Sequence, residues 1–312
     1  MKLTDPIIII GAPRSGTTFL KELLTFQDDL WHLPSESHHI LEGPLHPDNF
    51  SEYSNRPDEG FMFSNSQIEQ LRHQFREQAV NISNVPGGQN LLDRFRGNRF
   101  ARKGLLNILG PLSKIYKPAE AGIRFIEKTP KNIVRIPAIC QIFPDAKYIY
   151  LKRKPVDNIS SIYRGWNTET NIIYKLIKGH PRFAGSEYQI DMLNEVGISD
   201  NYWRFVLPPG WQEQKFRDLM DIAIYQWQKS NELAEQDLTD LIQADRVFRI
   251  EYAALVKHTK DKIDELLDFA DLSRNGYSYQ SLQRMPKINQ SGNKKTAAID
   301  NEEIKRRLSG VV

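Results

Sequence analysis

The chain has 312 residues, 40% hydrophobic and 26% charged, with 42 basic against 39 acidic side chains and a net charge of +3. That length carries one large α/β domain or two modest ones, with a core that needs no disulfide or metal staple. The only cysteine, Cys140, excludes an intrachain disulfide, and the near balance of charge argues against a dedicated nucleic-acid binder while leaving room for a local basic cleft.

The first element is the apolar run Ile7–Ile10, a buried strand, and an amphipathic helix over 17–27 follows a glycine-bounded loop. "LWHL" (30–33) reads as a second strand, and the turn-rich stretch after Pro34 as a loop with a short helical turn. Polar helices are expected over 65–80 and 99–116, a strand over 122–128, a helix over 132–143 and a buried strand over 146–153. Such strand–helix alternation predicts an α/β fold, a three-layer sandwich around a central parallel sheet. From about 165 to 215 the period disappears and aromatics accumulate, among them Trp166, Trp203, Phe205 and Trp211; this reads as an insertion or lid in a single domain over 1–312. A helical segment (212–236), a strand (247–252), a helix (255–269), a polar loop (288–300) and a short last helix complete the chain. No stretch approaches the ~18 continuous apolar residues of a membrane-crossing helix. The N-terminal apolar run is too short for a signal-peptide core, so the expected location is the cytoplasm.

The loop Gly11-Ala12-Pro13-Arg14-Ser15-Gly16-Thr17-Thr18 sits between a strand and a helix, where unpaired N–H groups and the helix dipole attract an anion. Its glycines permit a tight turn and close approach to a phosphate, and Ser15, Thr17 and Thr18 add hydroxyls. The ATP- and GTP-binding version of this loop has a lysine where Thr17 stands. A kinase of that class also holds Mg²⁺ with an acid at a later strand end; here the strand at 146–151 runs into Lys152-Arg153-Lys154. Cations in place of a metal suit a transferred group less charged than a γ-phosphate, and a sulfuryl group fits that description.

At this point the chain resembles the sulfotransferases that use 3′-phosphoadenosine 5′-phosphosulfate (PAPS), with 3′-phosphoadenosine 5′-phosphate (PAP) as product. The resemblance rests on "PRSGTT" (13–18), "IEKTPKN" (126–132) and "YLKRKPVDNISSIYRGW" (150–166). It implies that Pro13, Arg14, Ser15, Gly16, Thr17 and Thr18 bind the 5′-phosphosulfate and that Arg14 stabilises the transferring group. It also implies that Arg153 and Ser161 bind the 3′-phosphate that ATP lacks, and that Lys128 assists the leaving phosphate. A late loop, "SGNKKTA" (291–297), is similar to the one that closes over the 3′-phosphate, with Lys294 and Lys295 as its cations. "FRIEYAAL" (248–255) departs from the family's strand end at Ile250 and Tyr252, so neither residue inherits a role.

Transfer to a hydroxyl needs a general base. "HLPSESHHI" (32–40) returns beside the first strand, and Glu36 matches the family's glutamate to within a residue; His38 and His39 are the alternatives, being nearer neutrality. The expected reaction is in-line sulfuryl transfer to a hydroxyl-bearing small molecule, lipid or saccharide, with no metal. The rivals are an Mg²⁺-dependent kinase and a non-catalytic nucleotide-binding relative.

Overall fold

Ile7, Ile8, Ile9 and Ile10 are all buried, yet they serve two different cores. Alternate side chains of a strand point to opposite faces, so Ile8 and Ile10 pack with Phe75, Phe125, Tyr148 and Tyr150. Ile7 and Ile9 pack with Leu20, Leu23, Ile149 and Leu266. A strand covered on both faces reads as a continuous apolar run, not an alternating one.

This protein is seen in a computed structural model, which describes residues 3–28, 30–81, 85–88, 91, 108–110, 112–113, 115, 122–167, 187–189, 202–214, 217–279, 282 and 301–310. The first strand, β1 (Leu3–Ile10), is followed by helix α1 (Thr17–Leu24), β2 (Leu30–His32), α2 (His38–Leu41) and α3 (Asn65–Gln78). Then come β3 (Ile123–Lys128), α4 (Ile136–Ile142), β4 (Lys147–Lys152), α5 (Pro155–Asn167), β5 (Glu187–Gln189) and β6 (Tyr202–Arg204). The chain continues through α6 (Leu219–Asp237), β7 (Val247–Glu251), α7 (Tyr252–Lys257), α8 (Thr259–Phe269) and α9 (Asn301–Ser309).

The main sheet has five strands in the order β2-β3-β1-β4-β7. Every pairing in it is parallel, with Ile9 opposite Lys128 on one side and Ile149 on the other. Helices α3, α4 and α6 cover one face, and α1 and α8 the other. This is the three-layer α/β sandwich expected from the alternation of elements. The order also has a consequence for the site. From β1 the chain moves outward to β2 and back to β3, then crosses β1 to β4, so the connections diverge on either side of β1. In open parallel sheets the crevice at such a switch, outside the carboxyl ends of the strands, is where ligands bind.

Two elements differ from their sequence expectation. The helix expected over 132–143 is split: a 3₁₀ turn (Pro130–Val134) precedes α4, and Pro137 lies in the first turn of α4, where a missing N–H costs nothing. The helix expected over 255–269 breaks at His258 into α7 and α8. Three aromatics of the expected insertion form part of a third core: Trp203 stacks edge-on against Trp166 and Trp211, each at 5.4 Å between ring centroids, with Ile222 and Ile304 around them. Much of the expected insertion lies outside the described residues, as does most of the helix expected over 99–116.

Candidate active site

Strands β1, β2, β3 and β4 deliver their ends to one cleft of about 410 Å³, lined by Pro13, Arg14, Gly16, Thr17, Thr18, Phe19, Glu36, His38, Pro130, Lys131, Arg153, Ser161 and Phe205. Each segment is held there for a local reason.

After β1 the loop turns tightly, with Ser15 N donating to Ala12 O at 3.0 Å. A Cβ on Gly11 would meet Leu151 O at 2.6 Å, and one on Gly16, where φ is +111°, would meet the Tyr252 ring at 2.5 Å. Both positions therefore demand glycine. Arg14 also adopts a left-handed backbone, with φ of 67°, a conformation costly for a side-chain-bearing residue and concentrated at functional sites. Helix α1 opens with no side-chain cap and no acid in its first turn among the described residues. Its positive end is left to an outside anion.

The β4–α5 connection closes onto the same loop. Arg153 donates through Nη1 to Arg14 O at 3.2 Å, and Asn158 Nδ2 donates to Pro13 O at 2.7 Å. The Arg153 guanidinium lies 5.1 Å above the Tyr252 ring, a cation–π contact that fixes its plane. Ser15 Oγ, Arg153 Nε and Asn158 Oδ1 are buried and find no hydrogen-bond partner among the described residues. Two of them, the Ser15 hydroxyl and Arg153 Nε–H, are donors, and orphaned donors beside an uncapped helix start fit a phosphate-bearing ligand. Of the three cations at this strand end, Arg153 alone lines the cleft; Lys152 pairs with Glu235 at 2.9 Å and Lys154 is exposed.

The opposite wall comes from the segment after β2. Ser37 anchors it: its N–H donates to Thr129 Oγ1 at 2.8 Å and its hydroxyl to Glu127 Oε1 at 2.6 Å. Asn132 Nδ2 donates to the same Glu127 oxygen at 3.1 Å. This buried network sets Glu36 and His38 into the cleft. Glu36 is gripped at both oxygens, Oε1 by the Lys128 ammonium and Oε2 by His38 Nε2 at 2.9 Å. Burial would raise the Glu36 carboxyl, but Lys128 and His38 outweigh it and hold the group well below the usual carboxylate range. His39 is exposed and turns to Gln78 at the end of α3, away from the cleft lining. Lys294 and Lys295 lie outside the described residues. Among the described residues no three His, Cys, Asp or Glu side chains are grouped to hold a metal ion.

A model of the sulfotransferase family matches residues 6–182, more than half of the chain and all of the cleft segments except Phe205. The chain belongs to the sulfotransferase family. Solved structures similar to it include a sulfotransferase domain from the curacin biosynthetic pathway, at 19% identity and a TM-score of 0.44, covering 96% of this chain and 83% of that one. Another is the sulfotransferase domain of the Synechococcus PCC 7002 olefin synthase, at 16% identity and TM-score 0.43, covering 99% and 96%. A sulfotransferase from Alicyclobacillus acidocaldarius matches at 13% identity and TM-score 0.44, covering 100% and 92%. No curated protein is a significant match.

Three residues that line or support this sulfotransferase cleft, Tyr252, Gln226 and Lys131, were given no role from the sequence, and Phe205 was placed only among the aromatics of the expected insertion. Tyr252 supports Gly16 and Arg153 from α7, where its departure from the family pattern concealed it. Phe205 has a left-handed backbone, φ 69°, and its ring fills the space that a Cβ on Gly165 would occupy. Gln226 brackets Phe205 by donating to Arg204 O at 2.7 Å and Val206 O at 2.8 Å. Lys131 lines the wall beside Glu36, and a lysine one residue past "KTP" carries no local signal.

Proposed function

We propose that this chain is a cytoplasmic enzyme that transfers a sulfuryl group from PAPS to the hydroxyl of a small molecule, lipid or saccharide. The observation that carries the reading is the meeting, in one cleft, of the uncapped loop–helix after β1, the Arg153–Ser161 pair after β4 and the carboxylate of Glu36. The first two are separate anion sites, suited to the two ends of one nucleotide.

PAPS, when bound, supplies the sulfuryl group and a nucleotide leaving group. The N–H groups opening α1, with the hydroxyls of Ser15, Thr17 and Thr18, bind the phosphosulfate end, and Arg14 offsets charge that develops there. Arg153 presents a planar fork to the 3′-phosphate, and Ser161 adds a hydroxyl; Lys294 and Lys295 are the proposed cations of the loop that closes over it. Glu36 takes the acceptor proton as the acceptor oxygen bonds to sulfur. In the free protein Lys128 neutralises Glu36, which makes the carboxylate a weak base; an anion at the loop competes for that ammonium and strengthens the base. Lys128 then faces the departing phosphate. No metal enters this scheme.

Calorimetric titration tests the reading: PAP alone is expected to bind without metal, and Arg153→Ala to weaken it about 10- to 100-fold, the scale of a lost charged hydrogen-bond pair. Binding of ATP with Mg²⁺ but not of PAP would overturn it in favour of a kinase. Tight PAP binding with no transfer to any hydroxyl acceptor would leave only a nucleotide-binding relative.

A further inference from the structure

Behind the cleft wall, three groups converge on one carboxylate oxygen. Glu42 Oε1 lies 2.9 Å from Arg135 Nη1, 3.3 Å from Lys131 Nζ and 3.6 Å from His38 Nδ1. Arg135 is fully buried and is itself fixed by donating to Asn55 O at 3.2 Å and Leu45 O at 2.7 Å. Lys131 is 2% exposed. Glu42 therefore stands on a rigid base. His38 bridges outward from it, since its other ring nitrogen meets Glu36 at 2.9 Å. Nδ1 is buried and has no hydrogen-bond partner among the described residues, so Glu42 is the group it faces. Glu42 and Arg135 lie outside the motifs read from the sequence, and Lys131, inside "IEKTPKN", was assigned no role there.

We propose that Glu42 is a positioning residue, fixing the ring of His38 and through it the carboxylate of Glu36 that faces the acceptor. The proposal rests on the reading of Glu36 as general base. In the free protein Lys128 holds one Glu36 oxygen and the His38–Glu42 pair the other; once Lys128 turns to the phosphate, the His38 contact is what still sets the angle at which Glu36 meets a hydroxyl. Arg135 and Lys131 keep Glu42 ionised; burial pushes its carboxyl up, but those cations and His38 hold it far below the ordinary range. In the reaction the acceptor O–H bond breaks as the O–S bond forms, its proton passing to Glu36. The S–O bond to the nucleotide breaks, with its electron pair leaving on the phosphate. Glu42 touches none of these atoms.

The test is Glu42→Gln, which keeps an oxygen for Arg135 and removes the charge facing His38. Three readouts are compared with wild type: the ring-nitrogen resonances of His38 in the free protein, PAP affinity by calorimetry, and the slow release of sulfate from PAPS with water as acceptor. The expected result is a shift of the His38 resonances, PAP affinity within about twofold, and sulfate release slowed on the order of 10- to 100-fold, the scale of a misplaced catalytic group. In a His38→Asn background the same change should add little, because the intermediary is gone. If Glu42→Gln does not fold, Glu42→Asp serves, keeping the charge against Arg135 while retracting it from His38. Unmoved His38 resonances, or a full additional loss in the His38→Asn background, would overturn the proposal. Failure of wild type to bind PAP would instead overturn the donor reading, and the resonances of the free protein would still report on Glu42.

Discussion

Lys131 shows how burial alone changes what a side chain does. Its burial lowers the ammonium's pKa to about 7, with Glu42 opposing the shift and Arg135 adding to it. The folded value lies below the ordinary 10.5, so between about 7 and 10.5 the unfolded chain holds a proton that the native protein has released. Stability must then rise with pH across that window. Urea melts of wild type and Lys131→Met should show the wild type gaining on the variant from neutral pH toward pH 10.5. A constant gap would mean that Lys131 stays charged throughout. Glu42 has the opposite sign: its lowered carboxyl contributes stability above the ordinary glutamate value of 4.5, and that contribution is lost as the solution is acidified below it.

Among the elements, the segment from β1 through α1 was the most legible. Its strand follows from a buried apolar run, and its loop from two glycines that the surrounding backbone and Tyr252 leave no room to replace. Gly16→Ala combines a positive φ with a Cβ 2.5 Å from the Tyr252 ring. It is expected to cost about 1–3 kcal/mol of stability, read as a lower urea midpoint, and to weaken PAP binding because the first turn of α1 moves. A variant with unchanged midpoint and affinity would show that the loop tolerates a shift. The segment around Glu36 was less legible. A turn-rich stretch gave the candidate base, but what fixes it, Ser37 on Thr129 and Glu127, joins two segments far apart in the chain.

For the molecule as a whole, the cleft is where α1, the β2 end, the start of α5 and Phe205 meet. A ligand bridging them would touch elements of all three hydrophobic cores, two on opposite faces of the sheet and the third beyond it. If the proposed nucleotide site holds, PAP at about a hundredfold above its dissociation constant is expected to add about 2.7 kcal/mol to native stability, a rise in Tm on the order of 5 °C for a chain of this size. A thermal melt checks it: the shift should shrink in Arg153→Ala at the same PAP concentration. An equal shift in that variant would place the nucleotide away from the β4 end.

The sequence by itself determined what depends on neighbours along the chain. The buried strands came from runs of apolar residues, the tight loop before α1 from glycines at a strand–helix junction, and the family from three short motifs. Only the tertiary structure decided which side chains share space across the ends of parallel strands. It paired Lys128 with Glu36, turned His38 inward and His39 outward, set Tyr252 beneath Gly16, and gathered Lys131 and Arg135 on Glu42. It also gathered Trp166, Trp203 and Trp211 into a third core. Local pattern reports the period at which a chain alternates between buried and exposed. It does not report which distant residue completes a contact, because parallel strands are joined through long crossovers and their order and register are fixed only when the helices pack on the sheet.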